Sequence, residues 1–425
     1  MNRFLTLALL VGAATIGVRT LSTALAGGSG SATTSTAASL QANGTVVTTG
    51  VSLPGQHVPL PADCARVVNE TARVVCTANA FLATLSAAQK AQVLLPASKA
   101  NAVKWSNLPT TFVPRNGVRF STLSAAQLTA AEAVVKAAMG STPNEGYDEA
   151  MKIRMADDVL NASGGMGGPN SGTGIRPAPP AGQAGMTGTP PAGTPPTDTP
   201  PTGNAGGGSD YGNGLYFLAF LGTPSTTGTW QLQFGGHHLA LNTTYKAGEV
   251  VGATPKFTGL EPKVWTANGV TYAPMEGEHS TLVSMLAGLN SAQLATARLS
   301  QSFSDVLLGP GQDGKFPAKK SGLRVGTLSA GQQARVLAAI KTWVQDVDDT
   351  TAATLLGIYQ KELGSTYIAY SGSAGLTKQA DYVRIDGPSV WIEFVCQNGI
   401  VYNSQIHYHT IWRDHTRDYG AVYSF

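Results

Sequence analysis

Gly117-Val-Arg-Phe-Ser-Thr-Leu-Ser-Ala-Ala-Gln127 returns later in the chain as Gly322-Leu-Arg-Val-Gly-Thr-Leu-Ser-Ala-Gly-Gln332, identical at seven of eleven positions. Agreement of that density points to an internal duplication rather than coincidence. Upstream, Leu85-Ser-Ala-Ala-Gln89 finds a counterpart in Leu289-Asn-Ser-Ala-Gln293 at nearly the same offset, so the repeated unit contains the same signal twice. The Leu-Ser-x-x-Gln pattern has a physical meaning. The serine side chain caps a helix, and the glutamine three residues on returns a hydrogen bond to the cap residue's backbone N–H. Each occurrence is therefore a predicted helix start. The residues after each start are apolar at helical spacing, as in Ala131, Val134, Val135 and Ala138, or Val336, Ala339, Ile340 and Trp343.

Downstream of each helical block the pattern changes to period two. Tyr216-Phe-Leu-Ala-Phe-Leu-Gly-Thr-Pro224 parallels Tyr382-Val-Arg-Ile-Asp-Gly-Pro388, and Trp230-Gln-Leu-Gln-Phe234 parallels Trp391-Ile-Glu-Phe394, with Gly/Pro turns between. Helices first and an antiparallel hairpin second argue an α+β architecture rather than a doubly wound parallel sheet. Two such units are expected to pack about a pseudo-twofold axis. The first copy divides into a helical part over residues 57–163 and a β part over 210–275; the second into a helical part over 276–370 and a β part over 371–425. Residues 27–56, rich in Ser, Thr, Gly and Ala, are expected to be disordered. Residues 164–209, which run through Pro-Ala-Pro-Pro and Gly-Gly-Gly-Ser, read as a linker or surface insertion. Both lack the apolar surface needed to offset chain entropy.

Composition bounds the function. Across 425 residues, 42% are hydrophobic and only 12% charged, with a net charge of +3 and no Lys/Arg cluster, so no nucleic-acid footprint is present. The N-terminus has the form of an export signal over residues 1–26: Asn2-Arg3, an apolar run from Phe4 to Val18, and Ala24-Leu25-Ala26 before Gly27. A secreted or periplasmic mature chain beginning near Gly27, with no transmembrane helix, is expected; an uncleaved N-terminal anchor is the alternative. Arg19 divides the apolar run and leaves it below the ~20 residues needed to span. Cys64 and Cys76 can pair only if the chain turns between them, because unbroken helix would hold them ~18 Å apart. Cys396, in Val-Trp-Ile-Glu-Phe-Val-Cys, reads as an inert buried strand thiol.

Five of the seven histidines fall shortly after the tryptophan strands. Gly235-Gly236-His237-His238-Leu239 lies in the first copy, and His407-Tyr408-His409 with His415 in the second. Strand side chains alternate faces, so His407 and His409 point the same way while Tyr408 points away. His237 and His238 face opposite sides of a regular strand, so one of them joins the pair unless the glycines introduce a bulge. A lone histidine is commonly a hydrogen-bonded core or surface residue. A His-x-His matched by His-His in a duplicated unit instead favours a metal site, with His237, His238, His407 and His409 as ligands and His415 as a weaker one. A divalent or copper-type ion is expected, and zinc, copper and iron all suit such a set.

Nearby groups are candidates for catalysis: Arg413, Asp414, Asp418, Glu278 and Tyr408. The plainer reading of Asp414 and Asp418 is two Arg/Asp pairs holding a C-terminal turn, and that of Glu278 is a helix-start acid favoured by the dipole. No Gly-x-Ser-x-Gly, His-Glu-x-x-His or Walker loop occurs, nor any flavin, nicotinamide or haem motif.

Taken together, Trp230, Gly236-His237-His238-Leu239, Thr254-Pro255-x-Phe257-x-Gly259-x-x-Pro262, Tyr382-x-Arg384-x-x-Gly387-Pro388 and His407-x-His409-x-x-x-Arg413-Asp414-x-x-x-Asp418-Tyr419-Gly420 resemble the family called domain of unknown function 3500, over roughly residues 73 to 420. The long Pro/Gly insertion before Tyr211 departs from that pattern. The family carries no established activity, so the resemblance implies the importance of His237, His238, His407, His409, Arg413 and Asp418 without naming a reaction. Three classes of function remain open. The first is an exported metal-dependent enzyme, hydrolase or oxidoreductase, acting on a small-molecule or surface ligand. A non-catalytic metal-binding protein needs the same ligands in a closed shell. In a structural or adhesive module, the histidines merely hydrogen-bond.

Overall fold

The computed structural model describes residues 36–41, 44–164 and 210–425; the export segment, part of the first low-complexity stretch and all but the first residue of the second lie outside them. Among the described residues each half contributes four helices of seven residues or more. In the first half they are α1 (Glu70–Thr84), α2 (Ala87–Val93), α3 (Ala125–Ala138) and α4 (Gly146–Ala162). In the second they are α5 (Glu276–Ala287), α6 (Ser291–Ala297), α7 (Ala330–Val344) and α8 (Asp349–Glu362).

Four of these helices begin at the sites read from sequence. Ser86, Ser124, Asn290 and Ser329 each close a capping box with Gln89, Gln127, Gln293 and Gln332. The cap glutamines also bond each other in pairs. Gln89 Nε2 donates to Gln127 Oε1 over 3.2 Å, and Gln332 Nε2 to Gln293 Oε1 over 2.8 Å. One residue type thus starts two helices and ties their ends together. Replacing such a cap serine by alanine typically costs ~1 kcal/mol.

Ten strands carry the sheet that the helices cover: β1 (Val118–Arg119), β2 (Phe217–Leu221), β3 (Thr229–Gly235), β4 (Leu239–Lys246), β5 (Lys256–Leu260), β6 (Leu323–Arg324), β7 (Tyr367–Ser371), β8 (Tyr382–Asp386), β9 (Val390–Asn398) and β10 (Ile406–Asp414). Their order is β1-β2-β3-β4-β5-β10-β9-β8-β7-β6, all antiparallel. The order runs in chain sequence from either edge toward the centre, where the last strand of each half meets the other. Leu94–Leu95 joins β2 in parallel and Glu249–Gly252 joins β4.

This order corrects the strand pairing read from sequence. Measured from the strand that carries each Gly-x-Arg repeat, Tyr216 precedes the second strand of its half, whereas Tyr382 opens the third strand of its own. The intervening element is β7, Tyr-Ile-Ala-Tyr-Ser, too short to stand out beside its helical neighbour. The histidine pairs therefore sit at different places in the two halves. A second correction concerns residues 27–56. Ala37–Leu40 and Val46–Thr49 form a hairpin that pairs in parallel with Trp265–Ala267, and Val46 is fully buried.

The main core lies between the sheet and the helices. α1 packs on α3, and α5 on α7. Val74, Ala78 and Phe81 of α1 and Val336, Ala339, Ile340 and Trp343 of α7 face inward at helical spacing. The opposite sheet face is closed by a smaller cluster that includes Trp105, Phe257, Val306, Tyr382 and Tyr419. Cys64 and Cys76 form a disulfide with Cα atoms 5.5 Å apart, because the chain turns between Ala62–Ala65 and α1. Cys396 is buried in β9, and burial pushes its thiol up to about 12. Among the described residues no helix is long and apolar enough to cross a membrane.

Candidate metal centre

The central strands β5 and β10 set the geometry. Gly259 stands opposite His409, and Thr258 opposite Thr410. Alternation sends His407 and His409 to the face occupied by Phe257, whose ring lies 5.1 Å from that of His409. Tyr408 goes to the helix face, where it stacks against His279 of α5. Gly259 leaves room for the imidazoles: a Cβ there would stand 2.8 Å from His238 Cδ2 and 3.0 Å from His409 Cδ2. The pattern x-Gly-x therefore has a steric reason.

His237 and His238 occupy the tight turn between β3 and β4, closed by Gly236 N–H to Leu239 O at 2.9 Å. His238 adopts the left-handed region, φ 59°. A strained non-glycine backbone of this kind persists only where its surroundings hold it. Here the His238 N–H donates to Asn107 O over 3.0 Å, and its carbonyl accepts from Gly259 N–H. The two rings do not project to opposite sides as a strand would require; they stack with centroids 3.6 Å apart.

These elements bring both histidine pairs together. The Nε2 atoms of His407 and His409 are 3.2 Å apart, and ring nitrogens of His238, His407 and His409 all lie within 4.8 Å of one another. Tetrahedral ligands at ~2.0–2.1 Å from an ion stand about 3.3 Å apart, so the pair already has the spacing of two ligands of one ion. The rings of His237, His238, His407 and His409 are buried, at 6%, 4%, 1% and 5% exposure. Burial, with the neighbouring imidazoles, holds His237 and His238 well below the ordinary histidine range and His407 at about 3. These three are neutral at physiological pH, the form that offers a lone pair.

Two carboxylates orient the rings. Asp305 Oδ1 lies 3.0 Å from His409 Nδ1. Burial pushes the Asp305 carboxyl up, but the His409 ring beside it outweighs this and holds it below its usual range. A His409 ring that donates to Asp305 through Nδ1 would turn Nε2 toward an ion, the arrangement of a carboxylate–histidine–metal triad. Asp157 of α4 lies 2.7 Å from His237 Nδ1. Burial raises the Asp157 carboxyl and lowers the His237 ring, and both shifts favour a neutral hydrogen bond over an ion pair.

The other sequence candidates lie elsewhere. Arg413, fully buried, donates to the carbonyls of Leu308 and Gly309 and pairs with Asp313 and Asp418 at 3.0 and 2.9 Å. It therefore holds the loop that carries Asp305. Asp414 accepts from Tyr359 on the helix side, and Asp418 accepts from Asp414 N–H, so both serve the C-terminal turn. His415 meets Asp386 at 3.1 Å, apart from the other histidines. Glu278 belongs to a buried carboxylate group with Glu145 and Asp346. Asp157 and Asp305 join the site without a functional signal of their own in the sequence, whereas Gly259 belongs to a motif that carries the family resemblance. The acids come from a helix and a loop whose local patterns carry no sign of their target.

Comparison with curated proteins and with solved structures found no match. The model of the family described as a protein of unknown function (DUF3500) matches residues 68–421, and the chain belongs to that family.

Proposed function

We propose that the protein is an exported metal-dependent enzyme whose ion is held by His238, His407 and His409, with both halves of a duplicated chain contributing ligands to one shared site. The observation that carries this reading is the 3.2 Å approach of two imidazole nitrogens, with a third within 4.8 Å, in a buried setting. Three histidines complete the protein share of a catalytic centre and leave a fourth position for substrate. A zinc ion there would supply Lewis-acid chemistry suited to hydrolysis, whereas copper or iron would supply redox chemistry. The chain's own part is to fix the rings through Asp305 and Asn107. It also keeps the neutral His237–Asp157 pair, stacked on His238, where a proton can be held or passed.

Export is supported by the disulfide, which persists in oxidising compartments. A duplicated origin with pseudo-twofold packing is supported by the strand order and the matched capping boxes.

A second reading has its own support. His407 can donate Nε2–H to His409 Nε2 across the same 3.2 Å and leave no ion. Elemental analysis by mass spectrometry of protein purified without a histidine tag separates the two. The metal reading expects one transition-metal equivalent, removed by a strong chelator and restored by dialysis. A clean chain that stays metal-free after incubation with zinc, copper and iron would overturn it. Cobalt substitution then tests the open position, since an added small anion should alter the visible spectrum of an open centre and leave a closed one unchanged.

A further inference from the structure

Beneath the histidines, on the helix face of the same strands, lies a second group that the proposed function does not use. Glu145 ends the loop leading into α4, Glu149 is one turn further on, Glu278 lies in the first turn of α5, and Asp346 comes just after α7. All four carboxylates are buried, at 7%, 0%, 1% and 0% exposure, around the equally buried Lys256 of β5. Lys256 Nζ pairs with Asp346, lies 3.4 Å from Glu149 Oε2 and donates to Thr258 Oγ1 at 3.0 Å. Fully ionised, four carboxylates would outnumber the one ammonium, so without further positive charge they must hold protons.

The carboxylates are also incompletely bonded. As ionised groups, Glu145 Oε2, Glu149 Oε1 and Glu278 Oε2 are buried with no donor to accept from. Leaving such atoms unpaired costs more than a typical hydrogen bond contributes, and more again when the group is charged. Oxygens of Glu145, Glu278 and Asp346 meanwhile converge to within 4.8 Å of one another. Calcium binds oxygen at 2.3–2.6 Å, so ligands on opposite sides of it stand ~4.6–5.2 Å apart and neighbouring ones closer. The cradle is therefore the right size for a hard cation.

The backbone around it is tightly fitted. Gly146 N–H donates to Asp346 Oδ1 over 2.7 Å, which joins the α4 start of one half to the α7 end of the other. Gly140 accepts no side chain, since a Cβ would lie 1.9 Å from Gln345 O.

We propose that Glu145, Glu278 and Asp346 form a binding site for a hard, oxygen-preferring divalent cation such as calcium or manganese, independent of the histidine centre. The cation supplies the positive charge that Lys256 alone does not, satisfies the free oxygens, and ties α4, α5 and the α7–α8 turn to β5. Its ligands are carboxylates and those of the other centre are imidazoles, so the two sites select different metals.

The test uses the full mature chain, stripped with chelator and reloaded with zinc to fill the histidine site. Manganese is then titrated and followed by its electron paramagnetic resonance signal, with calcium titrated by calorimetry in parallel. The expected result is one further equivalent bound, with a saturable rise in Tm. Glu278→Gln should weaken this by roughly tenfold or more, since affinity depends on ligand charge. His407→Ala should leave it unchanged. Glu145→Gln, at the rim, provides a second variant if Glu278→Gln does not fold. Absence of manganese and calcium binding to the zinc-loaded chain, or wild-type binding by folded Glu278→Gln or Glu145→Gln, would overturn the proposal.

Discussion

On one face of the β5–β10 pair, four imidazoles are buried; on the other, four carboxylates are buried around a single ammonium. The strands are the same, and alternation alone separates the two chemistries. The imidazoles tolerate burial because a neutral form is available to them near neutral pH, and each histidine pair has a carboxylate to direct one ring. The carboxylates reach a neutral form only by holding protons far above their ordinary range. Burial, reinforced by the neighbouring acids, pushes Glu145 up to about 9 and Glu278 up to about 8. A buried polar cluster is thus defined by its deficit. The histidine face lacks something to accept lone pairs, and the carboxylate face lacks positive charge.

The largest expected effect breaks the histidine face alone. His407→Ala, His409→Ala and His238→Ala should each lower transition-metal affinity by more than ~100-fold, beyond the range seen when only a supporting partner is lost. The double change His238→Ala with His407→Ala should add little to either single change, because the site fails as a unit. Competition titrations against a chromophoric chelator measure this. Additive losses would mean that the two histidine pairs act separately.

Next in size is the loop carboxylate. Asp305→Asn keeps the shape but removes the charge that fixes the His409 ring, and should cost ~10–100-fold in metal affinity. The same variant should leave the Tm response to manganese untouched. Equal losses at both sites would show that the change had disturbed the strands rather than the ring.

How much of the fold and the site is legible in the sequence depends on how local each signal is. The capping boxes are readable because Ser-x-x-Gln acts within one helical turn, and the shared face of His407 and His409 because strand alternation is local too. The turn holding His237 and His238 is harder. Two glycines hint at irregularity, but the left-handed φ of His238 depends on Asn107 and Gly259, which are remote in sequence. Strand β7 escapes because five residues between a helix and a turn give too short a pattern for period two to register. Ala37–Leu40 and Val46–Thr49 escape because Ser/Thr/Ala-rich composition resembles a disordered segment until a partner strand is known. Asp157 and Asp305 illustrate the remaining gap: a supporting carboxylate is defined by the tertiary contact alone.

A third prediction sharpens the carboxylate side through pH. In chelator-treated protein, Glu278 and Glu145 hold protons in the folded chain up to about 8 and about 9, while the unfolded chain releases them near 4.5. Above about pH 7, where the buried histidines are neutral in the folded and the unfolded chain alike and no longer contribute an opposite slope, the folded state still binds the more protons, so stability should fall as pH rises, by up to ~1.4 kcal/mol per pH unit for each retained proton. Urea denaturation midpoints from about pH 7 to 9 measure the slope. Manganese should flatten it, and Glu278→Gln should reduce it. A flat profile in the chelated wild type would mean that the carboxylates reach solvent.

The smallest expected effect decides which member of the His237–His238 pair ligates. Ring nitrogens of His238 lie within 4.8 Å of those of His407 and His409, and also group with His237 and Asp157. His237 has its Nδ1 committed to Asp157 at 2.7 Å, and its ring lies flat against His238 at 3.6 Å. On the proposed reading its part is to steady the His238 ring and to keep a proton near the centre, with His238 as the ligand. His237→Ala removes that stacking contact but leaves the other three imidazoles in place. Metal affinity should fall less than ~10-fold, below the effect of losing a charged partner. If the centre is catalytic, turnover should fall further than affinity, because the neutral His237–Asp157 pair holds a proton beside the ligands. Parallel chelator competitions on His237→Ala and His238→Ala settle the assignment. Should His237→Ala lose as much affinity as His238→Ala while His407→Ala proves mild, the ion would belong to Asp157, His237 and His238. The His407–His409 approach would then be a hydrogen bond.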